Sequence, residues 1–182
     1  MAQQENLKTS AQRAQAIKRM IRVNHAGEFG AKRIYAGQLA VMGDRTPAAR
    51  SIAHMAEQEE RHLSAFDKMM TERGVRPTAL HPVWNVAGFA LGAVSAAIGP
   101  EAAMACTVAV ETEIDRHYSE QLAEIGDSDP ELSAMIEDFQ ADELEHKATA
   151  LEQGAERAPA YPLLSALVRM GCRTAIAVSK HI

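Results

Sequence analysis

Six side chains in this sequence have the types and spacing to hold a pair of metal ions. Glu28 is followed some thirty residues later by Glu59-x-x-His62, and Glu111 is followed at the same interval by Glu143-x-x-His146. Residues three apart share one face of a helix, so each Glu-x-x-His aims a carboxylate and an imidazole the same way. One carboxylate from each of two helices, with a Glu-x-x-His from each of two others, is the ligand set of a dimetal site inside a four-helix bundle. A single Glu-x-x-His is a weak signal, because most such pairs sit on a solvated face or in a satisfied core. Two of them, each matched to a Glu across a hairpin of nearly equal length, make a specific one.

The elements that must position these residues can be read from the prolines. Pro47, Pro77, Pro82, Pro100, Pro130, Pro159 and Pro162 divide the chain into segments expected to be helical at about 9–43, 47–73, 82–98, 100–125, 130–156 and 161–180. Proline suits the first turn of a helix and breaks its interior. Thr46 and Asp129 each precede such a proline as capping residues, closing the matching turns Gly43-Asp44-Arg45-Thr46 and Gly126-Asp127-Ser128-Asp129. Glu28 lies 17 residues before Arg45 and Glu59 lies 14 after it; Glu111 lies 17 before Ser128 and Glu143 15 after it. At ~1.5 Å rise per residue both hairpins bring their ligands to one height. Ile52, Met55, Glu59, Leu63 and Phe66 form one stripe, and Ile136, Phe139, Glu143 and Ala150 another. Four carboxylates on apolar faces are costly unless compensated. Two divalent cations would balance them and leave the histidines neutral.

Composition agrees with an all-α protein forming one domain over residues 1–182. Aromatic residues are only 4%, β-branched runs are scarce, and Ala, Glu, Gln, Met and Leu abound. The net charge of −5 argues against nucleic acid as a partner. Charge is uneven: residues 1–33 carry seven Lys/Arg against Glu5 and Glu28, whereas residues 101–157 carry sixteen Asp/Glu against three basic residues. Cys106 and Cys172 have neither metal-ligand spacing nor a disulfide framework. Residues 1–20 lack the apolar stretch of a secretion signal, and a bacterial protein is expected. Oxygen and nitrogen ligands without thiolate suit iron or manganese. Glu57, Glu60, Glu113, Asp115 and Glu145 fall off the ligand stripes and read as solvated or as neighbours of the ligands. His117 reads either as a packed core residue or as a partner of a ligand carboxylate. Tyr118 returns to the ligand face two turns after Glu111, as a packed core residue or a residue of the pocket.

Pro77 to Pro100 contains no Asp, Glu, Lys or Arg. Within it the most apolar run, Val83 to Val94, is shorter than the ~20 apolar residues of a bilayer span and is interrupted by Asn85, Gly88 and Gly92. It is expected to lie in a membrane interface, a buried core helix being the plainer alternative. In the last helix Leu163, Leu164, Leu167, Val168 and Ile176 are edged by Arg169, Arg173 and Lys180, as on a helix resting on an anionic surface.

The run Arg22-Val23-Asn24-His25-Ala26-Gly27-Glu28-Phe29-Gly30-Ala31, continuing through Ile34-Tyr35-Ala36-Gly37-Gln38, resembles the opening of the Coq7 (CLK-1) family, the demethoxyubiquinone hydroxylases. Gln58-Glu59-Glu60-Arg61-His62, Ala105 to Glu111 with His117-Tyr118, Asp142-Glu143-Leu144-Glu145-His146, and Ala158 to Tyr161 with Gly171-Cys172-Arg173 continue the resemblance. Asn24 and Phe29 depart from the expected Asp and Tyr. The resemblance implies a ferritin-like, membrane-associated di-iron monooxygenase that hydroxylates a polyprenyl methoxy-methyl-benzoquinol with O2 in ubiquinone biosynthesis. It implies two Fe ions on Glu28, Glu59, His62, Glu111, Glu143 and His146, with Glu59 and Glu143 as bridges. NADH or another reductant would supply electrons. His117 and Tyr118 match positions tied in that family to electron transfer and substrate. A Coq9-like lipid-binding partner is expected in organisms that have one, and so is a peripheral location on the cytoplasmic face of a bacterial inner membrane or, in a eukaryote, on the matrix side of the mitochondrial inner membrane. A ferritin- or rubrerythrin-like iron oxidation or storage protein is the alternative, against which the uncharged 77–100 stretch counts. A third reading is a dimetal bundle of purely structural purpose that presents its apolar surface to a partner.

Overall fold

A computed structural model describes residues 2–180, with side chains from Ser10 onward. Met1, His181 and Ile182 of the expected domain, and the Glu5 and Lys8 side chains of the basic segment, lie outside the described residues. Among the described residues every regular element is helical: α1 Ala2–Met42, α2 Pro47–Arg73, α3 His81–Ile98, α4 Pro100–Ile125, α5 Pro130–Glu152 and α6 Tyr161–Ser179. The caps fall where the sequence places them. Thr46 Oγ1 accepts from the Ala49 N–H at 3.0 Å, and Asp129 Oδ1 from the Leu132 N–H at 3.1 Å. Each is followed by proline in the first turn, where no N–H is missed.

Two boundaries differ from the sequence reading by more than one residue. Helix α1 begins at Ala2 rather than near residue 9, because nothing in residues 2–8 breaks a helix. Helix α5 stops at Glu152 rather than 156. Gly154 takes φ 91°, a left-handed backbone that glycine adopts without a Cβ penalty, and a short 3-10 turn at Ala155–Arg157 leads into α6.

Helices α1 and α2 form one antiparallel hairpin and α4 and α5 the other, and the two hairpins face each other as a four-helix bundle. Helix α3 is the crossover between them. It packs chiefly on α1 and also touches α4, while α6 packs on α4 and α1, so both lie over the α1–α4 side of the bundle. Among the described residues the α2–α5 side carries no such cover. The ferritin-like bundle with two added helices is therefore as the sequence implied.

Small residues let α3 approach α1 closely. A methyl group at Gly92 would collide with the Ile34 carbonyl, and one at Gly37 with the Phe89 carbonyl. On its outer side α3 leaves Val83, Val86, Val94 and Ile98 exposed, and α6 exposes Leu163, Leu167 and Met170. By length and composition alone α3 is long and apolar enough to cross a membrane. It is only partly buried, so the plain core-helix alternative does not describe it.

The basic edge of α6 is not free. Glu113, read from the sequence as solvated or as a neighbour of the ligands, is wholly buried. It accepts from Arg169 Nε at 2.6 Å, Arg173 Nε at 2.9 Å and Arg116 Nε at 3.0 Å. Two of the three cations assigned to an anionic surface are thus turned inward onto a carboxylate of α4. The sequence does not reveal this because Glu113 lies two residues from Glu111, on a helix face that only α6 covers.

Candidate metal centre

The four long helices deliver Glu28 from α1, Glu59 and His62 from α2, Glu111 from α4, and Glu143 and His146 from α5. All six are at most 1% exposed. Their donor atoms fall into two groups, each with every atom within 4.8 Å of the others: Glu28, Glu59, His62 and Glu143, and Glu59, Glu111, Glu143 and His146. Glu59 and Glu143 belong to both groups. His62 Nδ1 lies 3.3 Å from Glu28 Oε2 and 3.2 Å from Glu143 Oε1. His146 Nδ1 lies 3.0 Å from Glu143 Oε2 and 3.5 Å from Glu59 Oε1.

Apolar layers close the site along the bundle axis. Phe66, Tyr118, Ile136 and Phe139 belong to one layer, and Tyr35, Ile52, Met55 and Ala150 to the other. Such surroundings exclude water and make any uncompensated charge expensive.

The donors are not satisfied by protein alone. Both oxygens of Glu59 and Oε2 of Glu111 have no hydrogen-bond partner although fully buried. Burial, with the neighbouring carboxylates, holds the Glu59 and Glu111 carboxyls well above the usual range. Burial would also raise Glu143, but His146 and His62 outweigh it and bring that carboxyl down to about 2. His62 loses basicity to burial and regains more from Glu143 and Glu28, ending at about 10. Without metal the site must therefore hold protons to limit its negative charge. Four carboxylates, two imidazoles and orphaned oxygens suit two hard or borderline divalent cations, such as iron or manganese.

Two tyrosines hold the outer carboxylates, and they cross between the hairpins. Tyr35 Oη donates to Glu111 Oε1 at 2.5 Å, and Tyr118 Oη donates to Glu28 Oε1. Each tyrosine lies seven residues after the Glu of its own helix and bonds the Glu of the other. The imidazoles repeat the exchange. His62 Nε2 meets Asp142 Oδ2 at 2.9 Å, and His146 Nε2 meets Gln58 Oε1 at 3.1 Å. Asp142 and Gln58 each immediately precede the Glu of the opposite Glu-x-x-His. Such contacts fix the ring orientation and tautomer of an imidazole that binds metal through its other nitrogen. In the sequence Tyr35 stands out only as part of a resembling run. The repeated Glu-x6-Tyr spacing is the signal that could have singled it out.

His117 and Tyr118 part company. Tyr118 faces the carboxylates. Of the two readings of His117, the structure fits the packed core residue: it meets Gln121 Nε2 at 2.8 Å, not a carboxylate of the cluster, and Gln121 exchanges two bonds with Asn24. Successive helical residues point about 100° apart, so both could not face the site. Burial, and then the charge of Lys180, lower the His117 imidazole to about 4. It lies in the seam of α1, α4 and α6 beside Met20 and Val23.

With this geometry in hand, comparison with known proteins is decisive for kinship. The family model described as "Ubiquinone biosynthesis protein COQ7" matches residues 15–179. The chain belongs to the COQ7 family. It is 49% identical over 169 residues to the 3-demethoxyubiquinol 3-hydroxylase of Rhodospirillum rubrum, covering 93% of this chain and 80% of that protein. It is 52% identical over 170 residues to the NADPH-dependent 3-demethoxyubiquinone 3-hydroxylase, mitochondrial, of Mus musculus, covering 91% and 78%. The 5-demethoxyubiquinone hydroxylase, mitochondrial, of Saccharomyces cerevisiae is 39% identical over 182 residues, covering 91% and 78%. Kinship thus extends over nearly the whole of this chain, both hairpins and both added helices included.

Proposed function

We propose that this COQ7-family protein is a di-iron monooxygenase that hydroxylates a polyprenyl methoxy-methyl-benzoquinol, demethoxyubiquinol, with O2 in ubiquinone biosynthesis. The observation that carries the reading is the buried set of four carboxylates and two imidazoles in a chain half identical to named demethoxyubiquinol hydroxylases. Residues 1–182 would act as one domain, with 77–100 as its lipid-facing segment.

Glu28, Glu59, His62, Glu111, Glu143 and His146 would hold two iron ions, with Glu59 and Glu143 shared between them. The bound pair supplies O2 activation, the one chemistry that the side chains of this chain lack. The remaining work belongs to the protein. Tyr35 and Tyr118 hold a proton between phenol and carboxylate and keep Glu111 and Glu28 from rotating. Burial and the surrounding carboxylates raise both phenols well above their usual range, so each stays a neutral donor. The apolar layers through Phe66, Phe139, Ile52 and Met55 keep bulk water from the reacting ring. His117, bonded to Gln121 rather than to a carboxylate of the cluster, would bear on electron delivery only indirectly.

A polyprenyl quinol is held in lipid, so the enzyme must meet a membrane. The outer faces of α3 and α6 offer Val83, Val86, Val94, Ile98, Leu163, Leu167 and Met170 for that contact, consistent with a peripheral protein on the cytoplasmic or matrix side. The name of the Mus musculus relative points to NADPH as reductant, within the expectation of NADH or another reductant; a nicotinamide nucleotide is the class common to both. A lipid-binding partner of the Coq9 kind would present the quinol where present.

The test is oxygen incorporation. Iron-loaded protein in detergent, given demethoxyubiquinol, a reductant and 18O2, should yield hydroxylated quinol one labelled oxygen heavier, and Glu143→Ala should yield none. Label arriving from water, or full turnover by Glu143→Ala, would refute the assignment.

A further inference from the structure

The uncovered α2–α5 side of the bundle is built differently at its two ends, although the same sequence positions meet at each. At the His62 end Arg61 closes the seam. Its guanidinium lies 5.1 Å over the Phe139 ring, donates to Asp138 Oδ2 at 2.7 Å and also pairs with Asp142. At the other end the equivalent positions, each 84 residues away, are Glu145 for Arg61, Met55 for Phe139, His54 for Asp138 and Gln58 for Asp142. No plug forms there. The seam opens instead into a cleft of about 370 Å³, lined by Ser51, His54, Gln58, Glu145 and His146 among others.

The cleft leads inward. His54 and Glu145 are exposed at its mouth, Gln58 is half-buried, and His146 is 1% exposed at its base. Gln58 Oε1 is 3.1 Å from His146 Nε2, whose Nδ1 faces Glu59 and Glu143. Carboxylate, imidazole and amide oxygen thus form a series of donors from solvent to the carboxylate cluster. Arg50, at the rim, spends Nη1 on the Arg45 carbonyl at 2.9 Å. Gln153 Nε2 donates to Ser51 Oγ at 3.2 Å. Among the described residues the α1–α4 side lies under α3 and α6, and the two apolar layers occupy the bundle's length.

We propose that this cleft is the route by which a divalent cation, ferrous iron above all, reaches the dimetal site from water, separately from the apolar side that meets lipid. The inference rests on the dimetal reading of the site. A hydrated ion cannot cross apolar layers, because shedding its water there is uncompensated. Here oxygen and nitrogen donors would replace the water stepwise, and Glu145 offsets the charge of Arg50 at the mouth, so that a cation is not repelled there.

The experiment is the rate of metal filling, read without turnover. Metal-free protein is mixed with Co2+ in the absence of O2, and the visible absorption of protein-bound Co2+ is followed by stopped flow. The final stoichiometry is measured on the desalted protein. Ser51→Trp, which fills the cleft, should slow filling by roughly tenfold, and Glu145→Lys by roughly three- to tenfold, while both reach the wild-type stoichiometry. Leu144→Trp, an exposed change outside the cleft, should fill at the wild-type rate; circular dichroism checks that each variant is folded. Wild-type rates in both folded cleft variants would overturn the route alone. A wild-type protein that takes up no metal would overturn the dimetal reading and the route with it.

Discussion

Substituting Glu113→Gln should loosen α6 from the bundle, and the structure sets the size of the effect. The Glu113 carboxylate is wholly buried and serves three arginines, Arg116 from its own helix and Arg169 and Arg173 from α6. Burial alone would raise its pKa; the arginines overcome that and bring it from 4.5 to about 2. A fall of some 2.5 units corresponds to a ceiling of about 3 kcal/mol. The arginines are 39–54% exposed, so solvent screening reduces the expected loss to about 1–2 kcal/mol. The sign follows from the lowered value. The carboxylate contributes its full stability above about pH 4.5 and loses it as the pH falls from there toward 2. Urea unfolding at pH 7 should therefore show the variant less stable than wild type by that amount. The gap should narrow as the pH falls below about 4.5 and shrink in high salt. Equal stability at pH 7, or a gap that widens as pH falls, would refute the clamp.

Three further outcomes are expected. Tyr35→Phe and Tyr118→Phe each remove a donor from a buried carboxylate and should each cost about 1.5–3 kcal/mol in urea unfolding of the metal-free protein, a loss near zero contradicting the crossed pairing. Gly92→Leu should force α3 away from the Ile34 carbonyl, lower stability by at least about 1–3 kcal/mol and weaken flotation with anionic vesicles; unchanged melting would show that the close approach is dispensable. Metal binding should release protons, since Glu59, Glu111 and His62 hold them well above their usual ranges in the metal-free site, so Co2+ affinity should rise from pH 6 to pH 8. Affinity independent of pH would contradict that.

The convergence of the six candidate ligands is legible in the sequence because helical period and hairpin length are local properties. Spacing alone places six residues on four inward stripes, and proline with Thr46 or Asp129 marks two helix starts to the residue. What is not legible depends on which helix covers which face. Glu113 looks solvated until α6 lies over it, and the same contact removes Arg169 and Arg173 from the free basic edge. His117 and Tyr118, adjacent in sequence, diverge because a helix turns between them. The crossed tyrosines are half-visible as a repeated spacing, but a spacing says nothing about which hairpin a side chain will reach. The glycines of α3 read as interruptions of an apolar stretch, yet they are what lets that helix lie against α1.

Anomalous diffraction at the iron edge from crystals of the iron-loaded protein tests the account most directly. Two peaks should appear in the bundle interior, both in contact with Glu59 and Glu143, one next to Glu28 and His62 and the other next to Glu111 and His146. No peak between those side chains, or iron bound only at the surface, would contradict it.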